Sequence, residues 1–289
     1  MKIQKINRRS IGISGFTSVL TPIPSPPHEL FVVGSLPKKR IKSVAIIGSR
    51  KPTAYGIEIT HTIAYELAKR GIIIISGLAY GIDAVAHKAA LEAGGTTIAV
   101  LAGGLHRIYP AAHTGLAQRI VNQGGALLSE KPPGEDARHF DFLKRNRLVS
   151  GLADAVIVTE ATEKSGTLST VQHALEQGKD VCAVPGSVLS LLSAGPNSLL
   201  QQGAHVVRCA QDVLSLIAPE MPPLQAQLPL GDTPLETRII SLIQEGVRTA
   251  EALIQALAPE PPSQITQTFT TMELKGTLAI AQGKFSLRP

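Results

Sequence analysis

The sequence contains no tryptophan, few aromatic residues and only two cysteines, Cys182 and Cys209. Two isolated thiols fit neither a disulfide framework nor a paired-cysteine metal site, and they are typical of a reducing compartment. The sequence also lacks an apolar run of about 18 residues, the length that a membrane span requires. We therefore expect a cytoplasmic protein with an aliphatic core, no membrane contact, no bound metal and no catalytic cofactor.

Acidic residues are almost absent from the first fifty positions. This stretch carries nine Lys and Arg residues and a single acid, Glu29, whereas the rest of the chain is close to neutral. A basic segment favours an anionic partner, with nucleic acid as the first candidate, and a solvated tail has the same composition. Charge alone leaves both interpretations open.

Proline-rich stretches divide the chain. Residues 1–42 form a short basic segment without a clear long helix, and residues 218–234 have the composition of a linker. Residues 43–217 alternate short apolar runs with helix-length segments, which predicts βαβ units and a parallel sheet. Residues 235–289 predict three short helices and a hairpin, the layout of a small winged-helix domain. Its third helix carries one cation, so we expect this domain to contact protein or to be structural rather than to read duplex DNA.

The predicted elements of the central part follow from apolar runs and from periodicity. We predict an edge strand at 29–33 and buried strands at 44–47, 72–76, 97–101, 126–129, 155–158 and 181–184. We predict helices that begin near Ile57, after the loop at 77–83, and at 114–122, 139–150 and 166–177.

Polar loops follow three of these strands. The first loop begins with Gly48-Ser49-Arg50, the second is Gly77–Asp83, and the third contains Lys164-Ser165-Gly166 at the start of a helix. Parallel strands present their carboxyl ends at one edge of the sheet, where α/β proteins bind ligands, and a helix N-terminus attracts anions. We therefore expect one groove that holds phosphate. An ordinary turn with a solvated Arg and a simple N-cap with a solvated Lys remain as alternatives.

The densest cationic cluster of the central part is Phe142-Leu143-Lys144-Arg145-Asn146-Arg147. Lys and Arg neutralise phosphates, and the face of a Phe ring stacks on a base, but a solvated helix face has the same pattern. Asp83 and His87 suggest acid–base chemistry, although capping and helix packing are the favoured roles. The sequence has no Ser–His–Asp set and no suitably paired carboxylates, so the groove is predicted to hold phosphate and not to break a bond.

Eight motifs then follow one another in the order of a known family. They are GSR at 48–50, SGLAYGIDAVAH at 76–87, YP at 109–110, SE at 129–130, FLKRNRLVSGLAD at 142–154, EA…SGTL at 160–168, AVPG at 183–186 and GPN at 195–197. In this order they resemble the DNA-processing protein A (DprA/Smf) family, over about residues 25–217.

This resemblance implies an extended Rossmann-like domain that binds single-stranded DNA. It also implies a homodimer that loads the RecA recombinase in natural transformation and competence, without enzymatic activity. Carried onto this sequence, the resemblance assigns DNA contact to nine residues: Gly48, Ser49, Arg50, His139, Phe142, Arg145, Lys164, Ser165 and Gly166. The run Arg145-Asn146-Arg147 matches the family's RN-R pattern, for which a partly structural role is the alternative.

Two departures from the family pattern bear on function. Many members carry a helical domain before the Rossmann part, and residues 1–42 are too short for it. Ala111 and Ala112 follow Tyr109-Pro110, where some members carry a cation. Two other functions stay open. One is a nucleotide-processing enzyme related to phosphoribohydrolases, although their paired glycines are missing at Glu163–Thr167. The other is an adaptor that works mainly through the C-terminal domain.

Overall fold

The computed structural model describes residues 3–7, 15–221, 232–281 and 283–287. The chain divides into two compact units, Met1–Met221 and Pro222–Pro289. Across these described ranges, every helix is too short or too polar to cross a membrane.

The first unit is built on one large sheet, in which nine strands are described. They are β1 (Ile3–Asn7), β2 (Glu29–Gly34), β3 (Ser43–Ile47), β4 (Ile73–Ser76), β5 (Thr97–Leu101), β6 (Ala126–Ser129), β7 (Ala155–Val158), β8 (Asp180–Ala183) and β9 (His205–Val206). Their spatial order is β1-β2-β6-β5-β4-β3-β7-β8-β9. Strands β3 to β9 pair in parallel, while β2 is antiparallel to β1 and β6.

Helices cover both faces of this sheet. They are α1 (Ala54–Lys69), α2 (Ile82–Glu92), α3 (Thr114–Asn122), α4 (His139–Leu152), α5 (Thr167–Glu176), α6 (Ala194–Gln201) and α7 (Ala210–Ile217). On one face α1 packs against α2, and on the other α4 packs against α5. The predicted mixed α/β class with a mostly parallel sheet is confirmed.

The central strands are apolar except for a Ser or Thr at one end of several of them, such as Ser43, Ser76 and Thr97, because both of their faces are buried. In β5, Ile98 and Val100 belong to the core beneath α4 and α5, while Ala99 and Leu101 belong to the core beneath α2 and α3. The chain visits β3, β4, β5 and β6 on one side and then returns to place β7, β8 and β9 on the other side of β3. This reversal lies between β3 and β7, at the kind of switch point where open α/β sheets form ligand crevices.

The segment before residue 43 contributes to the same unit. Its side chains Phe16, Leu20 and Ile23 are buried in the core shared with α4. Strand β2 was predicted at the sheet edge, but β1 pairs outside it, in the register Ile3↔Val33. That prediction was wrong in position, because pairing with β1 depends on a partner far away in sequence.

The second unit has its own core. Helices α8 (Pro234–Gln244), α9 (Ala250–Ala256) and α10 (Pro262–Leu274) precede the hairpin β10 (Leu278–Ala281) and β11 (Lys284–Leu287). Thr249 caps α9, since its side chain accepts from the Ala252 N–H. The order of three helices and a hairpin agrees with the sequence pattern, and the winged-helix class stays a prediction. The predicted linker lies mostly outside the described residues.

Candidate nucleic-acid interface

A cavity of about 690 Å³ opens at the carboxyl edge of the first unit's sheet, where β3, β4 and β7 end. The structure brings eight of the nine predicted DNA-contact residues to its lining, namely Gly48, Ser49, Arg50, His139, Phe142, Arg145, Ser165 and Gly166. The ninth, Lys164, is exposed and directly precedes Ser165. Three segments far apart in sequence therefore meet at one site.

The loop that carries Arg50 is held at several points. The Ser49 N–H donates to the Glu160 carbonyl (2.6 Å), and the Ile82 N–H donates to the Ser49 carbonyl (3.1 Å). Gly81 has φ +74°, and a Cβ there would lie 2.2 Å from the Ser49 carbonyl oxygen, so this position requires glycine. Arg50 is therefore displayed from a braced loop rather than from a loose one.

Glu160 fixes the other end of that loop. Its carboxylate accepts from the Thr53 N–H (2.8 Å) and from the Thr53 hydroxyl (2.6 Å), and the side chain is buried. A Cβ at Gly56 would lie 2.2 Å from Glu160 Oε2, so only glycine lets α1 pass this close. The Glu160 carboxylate is thus engaged in holding structure, which argues against a role as a free catalytic acid.

The cations at the mouth of the cavity are available to a ligand. Arg50, Lys51 and Lys164 are exposed. Within the part of the chain that the structure describes, none of their side chains has a hydrogen bond or an ion pair. An unpaired cation on a fixed loop can bind an anion without first breaking an internal contact.

Arg145 behaves differently although it lines the same cavity. Only 8% of the residue is exposed, and its Nη1 donates to the Gly77 carbonyl (2.9 Å) and to the Val100 carbonyl. Burial lowers the pKa of Arg145 to about 10, against the opposing charge of Asp83. This guanidinium, which the sequence assigned to DNA, is engaged by backbone carbonyls at the ends of β4 and β5.

Asp83 completes this buried wall. Its Oδ2 accepts from the Gly77 N–H (3.0 Å) and the Ala79 N–H (3.3 Å), so it braces the loop before α2 rather than capping the helix itself. Burial raises the pKa of Asp83, and the Arg145 charge opposes that shift. Asp83 is therefore a structural carboxylate.

His87 is buried one turn further along α2. Its Nδ1 lies 2.6 Å from the Thr97 hydroxyl, which itself donates to the Ile74 carbonyl (2.7 Å). Nδ1 must therefore be the donor in the contact with Thr97. Burial, with help from His113 and Arg145, lowers the pKa of His87 to about 3. The ring is neutral and packed, as helix packing predicted, and it does not line the cavity.

The start of α5 joins the first and third loops. The Thr167 N–H donates to Ser165 Oγ (3.1 Å), so the hydroxyl one residue before the N-cap Gly166 binds the first N–H of the helix. The Thr167 hydroxyl donates to the Gly48 carbonyl (3.2 Å), and Asn146 Nδ2 donates to Ser169 Oγ (2.8 Å). These bonds lock α4, α5 and the end of β3 together around the cavity.

Tyr109, an aromatic residue to which the sequence pattern gave no role, also lines the site. Tyr109 is 63% exposed and meets the Phe142 ring edge-on, with centroids 5.5 Å apart. Both rings also line a second cavity of about 380 Å³, which shares Arg50 and Arg145 with the first. The signal in the sequence was the Tyr109-Pro110 motif, which was used only for the family resemblance. The exposed Tyr109 ring and the half-buried Phe142 ring lie beside cations, an arrangement that suits the stacking of bases.

Acidic, His and Cys side chains do not gather as a metal site in the described ranges: no group of three or more lies close enough to hold an ion.

Residues 10–218 match the family described as DNA recombination-mediator protein A. The DNA processing protein DprA of Bacillus subtilis is 41% identical over 211 residues, which is 73% of this chain and 71% of the relative. Protein Smf of Escherichia coli is 37% identical over 267 residues, or 90% of this chain and 71% of the relative.

Two solved structures are similar to the fold. DNA processing protein A of Streptococcus pneumoniae superposes with a TM-score of 0.68 at 39% identity, covering 75% of each chain. DNA processing protein A of Helicobacter pylori gives a TM-score of 0.66 at 31% identity, over 77% of this chain and 98% of that one. The latter structure concerns that protein's mode of binding single-stranded DNA.

Proposed function

The chain belongs to the DNA recombination-mediator protein A family, and on that premise we propose that it binds single-stranded DNA at the carboxyl edge of its large sheet. The observation that carries this proposal is the set of exposed, unpaired cations Arg50, Lys51 and Lys164 beside a cavity walled by Tyr109 and Phe142. Cations neutralise phosphates and aromatic rings stack bases, which together are the requirements of a single strand.

We also propose the biological role that membership of this family suggests. The protein loads a RecA-type recombinase onto the bound single strand in the cytoplasm during natural transformation. It binds the strand as a homodimer. The family is described as a DNA recombination-mediator protein. The engaged carboxylate of Glu160 supports a binding function and not a hydrolytic one.

Binding is tested with the full chain by fluorescence anisotropy. Single-stranded and duplex oligonucleotides of one sequence are titrated, and we expect tighter binding of the single strand. Arg50→Ala is compared with Arg119→Ala, because Arg119 is an equally charged, exposed residue on α3 that lines neither cavity. Equal affinity for both DNA forms, or equal effects of the two substitutions, would contradict the proposed site.

The mediator role needs a separate measurement. A RecA-type recombinase is offered single strands already coated with a single-strand-binding protein, and filament formation is followed with and without this chain. We expect faster filament formation with the chain and little acceleration with the Arg50→Ala protein. If the chain binds DNA but does not accelerate filament formation, the proposed DNA interface stands and the proposed mediator role is contradicted.

A further inference from the structure

The loop after β8 exposes three large aliphatic side chains beside the cavity. Val188, Leu189 and Leu191 are 89%, 92% and 82% exposed, more than any other large apolar side chain described within residues 15–221. Large exposed apolar groups in a cluster mark a surface that meets a partner.

This loop is anchored, so its side chains are held out to solvent rather than left loose. At its start the Tyr55 hydroxyl donates to the Pro185 carbonyl (2.8 Å). At its end the Ala161 N–H donates to the Leu192 carbonyl (2.7 Å), and Gly195 bonds back to Ala161. A rigid loop loses little entropy when it binds, which favours a binding role.

The same contacts make the loop continuous with the candidate site. Leu192 lines the 690 Å³ cavity. Ala161, which holds Leu192, lies on the loop that carries Lys164. Strands β3, β7 and β8 are neighbours in the sheet, so their loops lie side by side along its carboxyl edge. Cations therefore follow two of these strands, and aliphatic side chains follow the third.

The composition of the loop indicates which part of a strand it meets. Residues 185–195 contain no charged side chain, so they offer phosphates no cation, whereas the faces of unstacked bases are apolar and match the aliphatic side chains. We propose that Val188, Leu189 and Leu191 hold the bases of a single strand where it leaves the cavity past Lys164. This inference rests on the proposed function and extends its site by one loop.

The test combines Val188→Ser, Leu189→Ser and Leu191→Ser in the full chain. An oligothymidine of about 20 nucleotides, long enough to exceed one binding site, is compared with an oligonucleotide of equal length whose sites are abasic. We expect the triple variant to bind the oligothymidine about tenfold more weakly and the abasic strand almost as well as the unchanged protein does. The salt slope should stay unchanged, because no phosphate contact is lost.

Leu175→Ser is the matched control, since Leu175 is 62% exposed at the far end of α5 and should not affect binding. Unchanged affinity in the triple variant, or equal weakening on both oligonucleotides, would overturn the proposal. A change in oligomeric state by sedimentation would assign the loop to a second copy of the chain instead. Failure of Arg50→Ala to weaken binding would contradict the proposed DNA-binding site itself, whereas a normal Arg50 effect with an unaffected triple variant contradicts only this inference.

Discussion

The buried wall and the exposed rim of one cavity use their charges in opposite ways. The side chains of the buried wall, Asp83 and Arg145, form hydrogen bonds to backbone groups of the loop after β4 and to the Val100 carbonyl within β5. The exposed rim, Arg50, Lys51 and Lys164, has no internal partner among the described residues. The difference shows that lining a cavity does not make a cation a ligand contact. The wall sets the shape of the site, and the rim is left for the ligand.

The largest expected effect lies in the wall. Arg145→Met leaves two carbonyls and the Asp83 carboxylate without their cation, and removing one member of a buried charged set costs about 3–5 kcal/mol. We expect that loss in the free energy of unfolding, measured in urea. Arg50→Met is the control, since an exposed, unpaired side chain should change stability by less than about 0.5 kcal/mol. Similar free energies of unfolding of the two variants would contradict the structural role of Arg145 and its contrast with the unpaired Arg50.

The second effect lies in the rim and concerns affinity. Arg50→Ala should weaken single-strand binding by about 2 kcal/mol, or roughly 30-fold, because a charge-assisted contact is lost. The salt slope should flatten by about 0.7 for one phosphate, and the loss should be alike for all sequences. Anisotropy at several salt concentrations measures both quantities. An unchanged slope in a folded Arg50→Ala protein would place the DNA elsewhere.

The third effect is the pH dependence that the buried His87 side chain gives to the free energy of unfolding. The pKa of His87 is lowered in the folded state to about 3, so the unfolded chain binds the extra proton first as the pH falls. This contribution to stability is present above the unfolded pKa of about 6.5 and should fall by about 1.4 kcal/mol between pH 7.5 and pH 5.5. The raised pKa of Asp83 acts in the opposite direction.

The His87→Gln substitution isolates the contribution of His87 to the pH dependence of stability, because Gln keeps a hydrogen-bond donor for Thr97 and does not titrate. The free energies of unfolding of the His87→Gln variant and the unchanged protein are measured in urea. Their difference should change by about 1.4 kcal/mol between pH 7.5 and pH 5.5. A constant difference would show that His87 is not kept neutral by burial.

The smallest effect is expected outside the first unit. Lys275 at the end of α10 donates to Asp232 Oδ2 (2.8 Å) and Glu236 Oε1 (2.9 Å), so its charge is already paired. Lys275→Ala should change single-strand affinity less than about twofold, or 0.4 kcal/mol. A chain that ends at Met221 should likewise bind almost as well as the full chain. A tenfold loss in a folded truncated protein would assign DNA contact to the second unit.

Local sequence determined the central strands and the loops that follow them. Runs such as Ala155–Val158 are apolar at every position because both faces of a central strand are buried, and this pattern can be recognised without knowledge of neighbours. The convergence of the Arg50 and Lys164 loops followed from parallel pairing alone. Helix α6 was missed because Gly195 and Pro196 obscure its start, although Pro is tolerated in a first helical turn.

Only the tertiary structure decided which charged groups are available. Arg50 and Arg145 are the same residue type, and the family resemblance assigned both to DNA contact, with a partly structural role as the alternative for Arg145. Arg145 reaches the carbonyls of Gly77 and Val100, 68 and 45 residues away, and these contacts depend on how α4 packs across β4 and β5. No local pattern encodes such a distance. The sequence therefore determined which loops and helices carry the cations. Packing decided which cations are buried and hydrogen-bonded within the fold and which stay exposed. A charged group is buried only where it has a partner, because burial without one is too costly.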